Sequence, residues 1–85
     1  TERVRLWVDK MQYRYFETTP LHGTQRVVER RDEGVVIEID VQRNYELMQL
    51  ILSFADTVEV LAPEGLRQEV IGRLKGAMGR YVVSD

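Results

Sequence analysis

The segment Val35-Val36-Ile37-Glu38-Ile39-Asp40-Val41 decides the fold class of this 85-residue chain. The carboxylates of Glu38 and Asp40 alternate with apolar residues, and a period of two is the pattern of a β-strand. The side chains that we expect to face a core are Val35, Ile37, Ile39 and Val41. A strand with one apolar face and one wet face is typical of an antiparallel sheet.

Two further strands are predicted on the N-terminal side. Residues 24–31 (TQRVVERR) precede a tight hairpin turn, Asp32-Glu33-Gly34, in which Gly34 is free to adopt positive φ. Residues 3–8 (RVRLWV) predict the first strand, with alternate side chains on opposite faces. Asp9 then caps a short helix to about Phe16, because its carboxylate can accept from the free amides of the first turn.

The C-terminal half predicts two helices and one strand. Asn44 is the expected N-cap of a helix whose apolar positions are Leu47, Leu50, Ile51 and Phe54. Residues 57–61 (TVEVL) predict a strand, and Pro63 lies where a helix can begin. The last helix is predicted from about Glu64 to Tyr81. Its apolar stripe comprises Leu66, Val70, Leu74, Ala77 or Met78, and Tyr81.

The predicted order is therefore β-α-β-β-α-β followed by one more helix. It defines an α+β class and matches the ferredoxin-like arrangement, with an antiparallel sheet and an additional C-terminal helix. In that arrangement the first and third strands are central, and two helices cover one sheet face. The other face must be wet, covered by the extra helix, or covered by a partner. We expect one domain over residues 1–85.

Composition excludes several functions. The chain has no cysteine and one histidine, so Cys-based zinc sites, disulfides and thiolate catalysis are ruled out. A multi-His metal site would need a second chain. No apolar run approaches a membrane span, and no signal peptide opens the sequence. We expect no cofactor, no metal, no membrane partner and a cytoplasmic location.

Catalytic chemistry also has little support in the sequence. Ser53 and Ser84 lie in a helix turn and in the tail, not in a nucleophile motif. Glu38 and Asp40 could present paired carboxylates, but such a pair is more often the solvent side of a strand. Three glycines fall inside the last helix rather than after a strand, so they form no phosphate-binding loop: Gly72, Gly76 and Gly79. We expect no enzyme.

Charge is unevenly distributed along the chain, although the net charge is only −2. Residues 1–31 hold seven basic and four acidic residues, whereas residues 32–64 hold one and eight. Residues 65–85 hold four and two. Such asymmetry can mark a face for a polyanion or for an oppositely charged partner, or it can be a solvated surface.

The candidate site lies on the first two strands. Arg3, Arg5 and Trp7 share one face of the first strand, and Arg26 and Arg30 share one face of the second, with Val28 between them. Arginine binds phosphate with two hydrogen bonds, and an indole can stack a base. The same residue types anchor protein interfaces. Trp7 could also pack under the extra helix, so these alternatives remain open.

An ordered set of short pieces runs through nearly the whole chain. The pieces are, in order, Val4-Arg5-Leu6, a loop ending in Gln25, a basic strand with an acidic Gly turn, Glu46-Leu47, Ile51-Leu52-Ser53-Phe54, Val58-Glu59-Val60-Leu61-Ala62-Pro63, Leu66-Arg67 and Tyr81. In this order they resemble the C-terminal extension (WCX) domain of bacterial WYL-domain transcriptional regulators. In that family a Gly usually follows the aromatic residue that ends the second helix, and here Ala55-Asp56 stands in its place.

The resemblance implies a place in a longer regulator. A winged helix-turn-helix comes first in such proteins, a WYL domain second and this ferredoxin-like domain last, so the chain would be a fragment. The last two domains are associated with effector sensing, including single-stranded nucleic acid, and with dimer contacts. The expected partners are a second copy in a homodimer, the WYL domain of the same chain and single-stranded nucleic acid. The alternatives are a purely structural dimerisation domain and a small-metabolite sensor.

Overall fold

A computed structural model describes residues 1–82 and forms four strands and three α-helices. Residues 83–85, with the Ser84 that the sequence places in the tail, lie outside the described residues. A short 3₁₀ turn, Ala55–Thr57, follows the second helix. The elements are β1 (Glu2–Asp9), α1 (Lys10–Thr18), β2 (Arg26–Arg31), β3 (Gly34–Val41), α2 (Tyr45–Ser53), β4 (Val58–Ala62) and α3 (Glu64–Tyr81).

The four strands form one antiparallel sheet in the order β2-β3-β1-β4. The central strands are therefore β1 and β3, and β2 and β4 form the edges. In the pairing of β1 with β3, Arg5 lies opposite Glu38 and Trp7 lies opposite Val36. The α+β class, the antiparallel sheet and the C-terminal helix predicted from the sequence are confirmed.

One face of the sheet carries the hydrophobic core. All three helices contribute to it, and Phe16 of α1 is fully buried with its ring 5.0 Å from that of Phe54 in an edge-to-face contact. The strands supply the alternate apolar residues predicted from the sequence, including Val4, Leu6, Val8, Ile37, Ile39, Val41, Val58 and Val60. Burial of these side chains is the dominant stabilising contribution to the fold.

The predicted helix caps are present. The Asp9 carboxylate accepts from the backbone amide of Met11 at 2.9 Å, and the Asn44 side chain accepts from that of Leu47 at 2.8 Å. The predicted core face of α2 is partly wrong. Leu50 is 37% exposed, and Met48 is buried beside Leu47 and Ile51 instead. Leu50 lies beside the packed face of α2 and borders a surface groove.

The conformational prediction for Gly34 is wrong, because no glycine among residues 1–82 has positive φ. Glycine is required there for space. A Cβ atom at this position would meet the Val8 carbonyl oxygen and would lie 2.7 Å from Nε1 of Trp7. The indole of Trp7 therefore lies over the start of β3, against the bare backbone of Gly34.

A β-bulge in β2 changes the face of its later residues. Val27 pairs with Ile37, but the next pair is Glu29 with Val36, so Val28 is the extra residue. Val27 packs against the core, whereas Val28 is 42% exposed. The bulge reverses the alternation expected for residues 29–31, and this changes the face on which Arg30 lies.

The last helix consists of two unlike halves. Leu66 and Val70 are buried in the core, but every residue from Gly72 to Val82 is exposed. A Cβ atom built at Gly72, Gly76 or Gly79 would have no other heavy atom within 4 Å, apart from its own helical neighbourhood, among the described residues. The second half of α3 is thus largely uncovered by the rest of residues 1–82. None of the helices in this range has the length and hydropathy of a membrane span.

Ala55 is a non-glycine residue in the left-handed region, with φ of 51°. It directly follows Phe54, the residue at the C-terminal end of α2. Helices often end with a left-handed residue, and glycine adopts that conformation without the steric penalty of a Cβ atom. Ala55 is therefore a strained residue at the C-terminal end of α2, where the resemblance drawn from the sequence leads us to expect Gly.

Candidate functional site

The candidate site is the sheet face opposite the core, which we call the open face. The described elements leave Arg3 and Arg5 substantially exposed there, with side-chain accessibilities of 67% and 48%. Trp7 is half-buried on the same face. The last helix, α3, packs against the core and β4 and leaves these two arginines uncovered. Their part of the open face is therefore not covered by the extra helix.

Glu38 is the centre of the open face and is only 8% exposed. Arg5 donates from Nη2 and Nε to one carboxylate oxygen at 2.8 and 3.1 Å. Arg26 donates from Nη2 to the other oxygen at 3.2 Å, and Arg3 Nε lies 3.9 Å from it. A buried carboxylate needs such partners, because an unpaired charge away from water is strongly unfavourable.

Asp40 is the second acceptor on the open face and lies two residues beyond Glu38 along β3. Arg26 Nη1 donates to Asp40 Oδ2 at 3.2 Å, and Arg3 Nε donates to Oδ1 at 3.4 Å. The guanidinium of Arg26 therefore joins both carboxylates. Three arginines and two carboxylates form this cluster, which leaves one positive charge in excess. We call it the Glu38–Asp40 cluster.

The ion pairs shift the pKa values of the carboxylates downwards. The hydrogen bond from Arg5 is the main cause of the lowered pKa of Glu38, and it outweighs the opposing effect of desolvation. The hydrogen bond from Arg26 likewise lowers the pKa of Asp40. Both carboxylates are therefore ionised near neutral pH, which is the wrong protonation state for a general acid.

Arg30 does not share a face with Arg26, so the prediction that these two arginines lie on one face of the strand is wrong. The bulge at Val28 places Arg30 opposite Val35, whose side chain belongs to the core-facing set. Arg31 takes the open-face position instead, opposite Gly34, and donates to Glu29 at 2.6 Å. The sequence carried one signal of this: of two consecutive valines, only one can face the core in a regular strand.

Trp7 lies between the Glu38–Asp40 cluster and the last helix. It borders a cavity of about 310 Å³ whose other walls include Arg67, Ile71 and Leu74 of α3. Arg67 donates to Glu59 of β4 at 2.7 Å and so fixes the first half of α3 against the sheet edge. The fluorescence of Trp7, the single tryptophan, should therefore respond to events on both the open face and α3.

Arg43 connects two distant elements and is not among the site residues predicted from the sequence. Its guanidinium donates to both carboxylate oxygens of Glu2 at 2.9 Å and to Glu69 of α3 at 3.0 Å. The pKa of Arg43 is raised, chiefly by the hydrogen bond to Glu2. Arg43 joins β1 to α3 and holds the helix in place, and no local sequence pattern indicates such a long-range contact.

The site of five predicted residues is thus divided by the structure. Arg3, Arg5 and Arg26 come together around Glu38 and Asp40, Trp7 lies beside them, and Arg30 lies on the other face. Within residues 1–82, no group of three or more His, Asp or Glu side chains could hold a metal ion. The arrangement offers a polar contact surface rather than a set of reacting groups.

Fold and surface together define a small α+β domain with an ion-paired open face and an uncovered helix end. The family model of the WCX domain matches residues 1–78, and the chain belongs to the WCX domain family. The resemblance drawn from the sequence is thereby confirmed. WCX domains are regulatory C-terminal domains of WYL-type proteins and are not a catalytic family. None of the curated proteins matches the chain.

Proposed function

We propose that this chain is a non-catalytic regulatory domain that acts through protein contacts, by dimerising a cytoplasmic transcriptional regulator and contacting its WYL domain. The observation that carries the proposal is the uncovered half of α3. Leu74, Met78 and Tyr81 are 45%, 65% and 81% exposed on one helix. A run of large apolar side chains rimmed by polar residues is typical of a protein interaction site.

The neutralised open face supports protein contact over polyanion binding. Arg5 and Arg26 each already donate from two guanidinium nitrogens to Glu38 or Asp40, so few of their donors are left for a phosphate group. Charged groups that are already paired contribute less to the binding of a polyanion and more to the alignment of a polar protein interface.

We also infer that the strand order β2-β3-β1-β4 corresponds to the ferredoxin-like arrangement. In this arrangement α3 is the additional helix, and residues 1–85 form one domain.

Sedimentation equilibrium of the chain over a wide concentration range tests this proposal. We expect reversible self-association in the absence of nucleic acid, with little loss at moderate salt because apolar contacts supply most of the free energy. A chain that stays monomeric up to its solubility limit would contradict dimerisation through this domain.

Single-stranded nucleic acid is the second candidate partner, supported by the exposure of Arg3 and by the excess positive charge beside Trp7. Titration of the chain with a short single-stranded DNA, followed by Trp7 fluorescence at two salt concentrations, tests it. Phosphate contacts predict a saturable change that weakens steeply as salt rises. Arg3→Glu should abolish this change, and Arg30→Glu, on the other sheet face, is the matched control. Absence of any change in the wild type would exclude the open face as a nucleic-acid surface.

A further inference from the structure

The uncovered half of α3 combines an apolar stripe with side chains whose charges are all positive. Its apolar side continues the stripe that Leu66 and Val70 carry into the core, and includes Leu74, Met78 and Tyr81. The charges on this half are all positive: Arg73, Lys75 and Arg80. No acidic residue lies between Val70 and Val82. A complementary surface must therefore be apolar with acidic edges.

The same chain offers such a surface beside α2. A groove of about 590 Å³ lies between α2, the end of β3 and the loop around His22, and we call it the α2 groove. Its apolar walls include Leu21, Ile39, Leu47 and Leu50. Two acidic side chains line it: Asp40, which is already paired with Arg3 and Arg26, and Glu46, which forms no ion pair among residues 1–82. The groove thus has an apolar floor and one acid, Glu46, at its edge for the positive charges of α3.

Pairing of α3 with the α3 of another copy is a poorer solution. It would bring Arg73, Lys75 and Arg80 of both chains together, whereas the two acids of α3, Glu64 and Glu69, both lie in its first half. Like charges brought together across an interface are unfavourable. Binding of α3 to the α2 groove replaces this repulsion with the attraction of Lys75 or Arg73 for Glu46.

The exposed area of the chain also fits this interpretation. A folded monomer of 10.0 kDa is expected to expose about 5,200 Å². The chain exposes 5914 Å², an excess of about 700 Å² over that expectation. An excess of this kind is expected for a helix end that the rest of the chain leaves exposed.

We infer that the second half of α3 binds the α2 groove of a second copy, and that the two chains exchange these helices reciprocally. Two identical contacts related by a twofold axis close the assembly at two chains. The inference rests on the proposed dimerisation and specifies the surfaces that carry it.

The first test uses sedimentation equilibrium to compare substitutions on α3, in the α2 groove and on α1. Met78→Asp on α3 and Leu50→Asp in the α2 groove should each raise the dissociation constant of the dimer at least tenfold. Met11 on α1 is 67% exposed, similar to Met78 at 65%, so Met11→Asp is the matched control and should leave association unchanged. Far-UV circular dichroism checks that each variant is folded.

Mixing the two defective variants tests the exchange itself. The Leu50→Asp chain keeps an intact α3 and the Met78→Asp chain keeps an intact groove, so a mixed pair retains one complete contact. We expect the mixture to associate more strongly than either variant alone. A mixture that associates no better than its components would overturn the exchange.

Charge reversal gives an independent test. Lys75→Glu and Glu46→Lys should each weaken association severalfold, and the variant carrying both should recover it. Arg14→Glu, an exposed reversal on α1, is the control. A monomeric wild type would overturn the proposed function together with this inference. A dimer that persists unchanged in Met78→Asp and Leu50→Asp would overturn only the inference, because dimerisation would then use another surface.

Discussion

The two faces of the sheet exclude water by different chemistry, although their residues alternate along the same strands. On the core face, Val4, Leu6 and Val8 of β1 are buried under helices. One residue away along the chain, Arg3 and Arg5 face outwards and bind the acids of β3. The first face depends on apolar packing, and the second depends on paired charges.

Burial on the open face comes from side chains of the sheet itself. Val36 is fully buried and Glu38 is nearly so, yet both belong to the face without packed helices. Trp7 lies directly opposite Val36, and long arginine side chains surround Glu38. Arginine stems cover apolar surface while their charged ends stay in contact with water.

Phe16→Ala should have the largest effect, because it removes a fully buried ring from the core face and its edge-to-face contact with Phe54. We expect a loss of about 3–5 kcal/mol in the free energy of unfolding, measured by urea denaturation. Tyr15→Ala, on the exposed side of the same helix, should stay within about 0.5 kcal/mol of the wild type. Similar losses for both variants would contradict the assigned core face.

Gly34→Ala should come next and tests the open face. The new Cβ atom would meet the Val8 carbonyl and the Trp7 indole, so one of them must move. Overpacking of this kind costs about 1–3 kcal/mol and should also change the emission of Trp7. Gly23→Ala is the matched control, because a Cβ atom there would have no heavy atom within 4 Å. An unchanged Trp7 emission in Gly34→Ala would argue against the indole position described above.

Glu38→Gln should have a smaller effect that depends on pH. The folded pKa of Glu38 lies below its ordinary value of 4.5, and that of Asp40 lies below 3.8. The unfolded chain therefore binds more protons in this range, and stability is lost as pH falls through and below these values. Glu38→Gln removes one of the two groups, so the thermal midpoint should be lower at pH 7 and should fall less steeply under acid conditions.

The control for this prediction is Glu17→Gln, the same chemical change on the exposed surface of α1. Its midpoint at pH 7 should match that of the wild type. Equal midpoints for wild type and Glu38→Gln at pH 7 would mean that the ion pairs around Glu38 contribute nothing to stability.

Ala55→Gly should have the smallest effect and should be stabilising. Ala55 has a left-handed φ of 51°, and a Cβ atom in this region costs about 1–2 kcal/mol. The greater freedom of glycine in the unfolded chain offsets part of the gain, so we expect about 0.5–1 kcal/mol by urea denaturation. Ala62→Gly in β4 is the control and should be destabilising. A loss of stability in Ala55→Gly would show that the turn does not strain Ala.

Much of this architecture could be predicted from local patterns. Alternation assigned the core-facing residues of β1 and β3, and Asp9 and Asn44 were identified as caps because they precede periodic helical segments. These features depend on residues within one turn or one strand. The side-chain partners of the candidate site could not be predicted in the same way.

The pairing of Arg5 with Glu38 joins residues 33 positions apart, and it depends on the register between β1 and β3. Alternation shows which face a residue occupies but not which residue lies opposite. The bulge at Val28 is a second limit, because it reverses the faces of Arg30 and Arg31 without any glycine or proline to mark it. The uncovered half of α3 follows the same apolar stripe as its buried half, so periodicity alone treats both halves alike.

The bulge in β2 has a consequence for the behaviour of the chain at high concentration. A regular edge strand presents a row of free amides and carbonyls that can template the strand of another molecule, which is a common route to aggregation. At Val28 this row is interrupted, and Arg26, Arg30 and Arg31 add positive charge along the same edge. The pairing of β4 with β1 at the opposite edge is irregular as well, and α3 packs against that edge. Neither edge favours extension of the sheet into a fibril, so we expect this chain to resist fibril formation at high concentration.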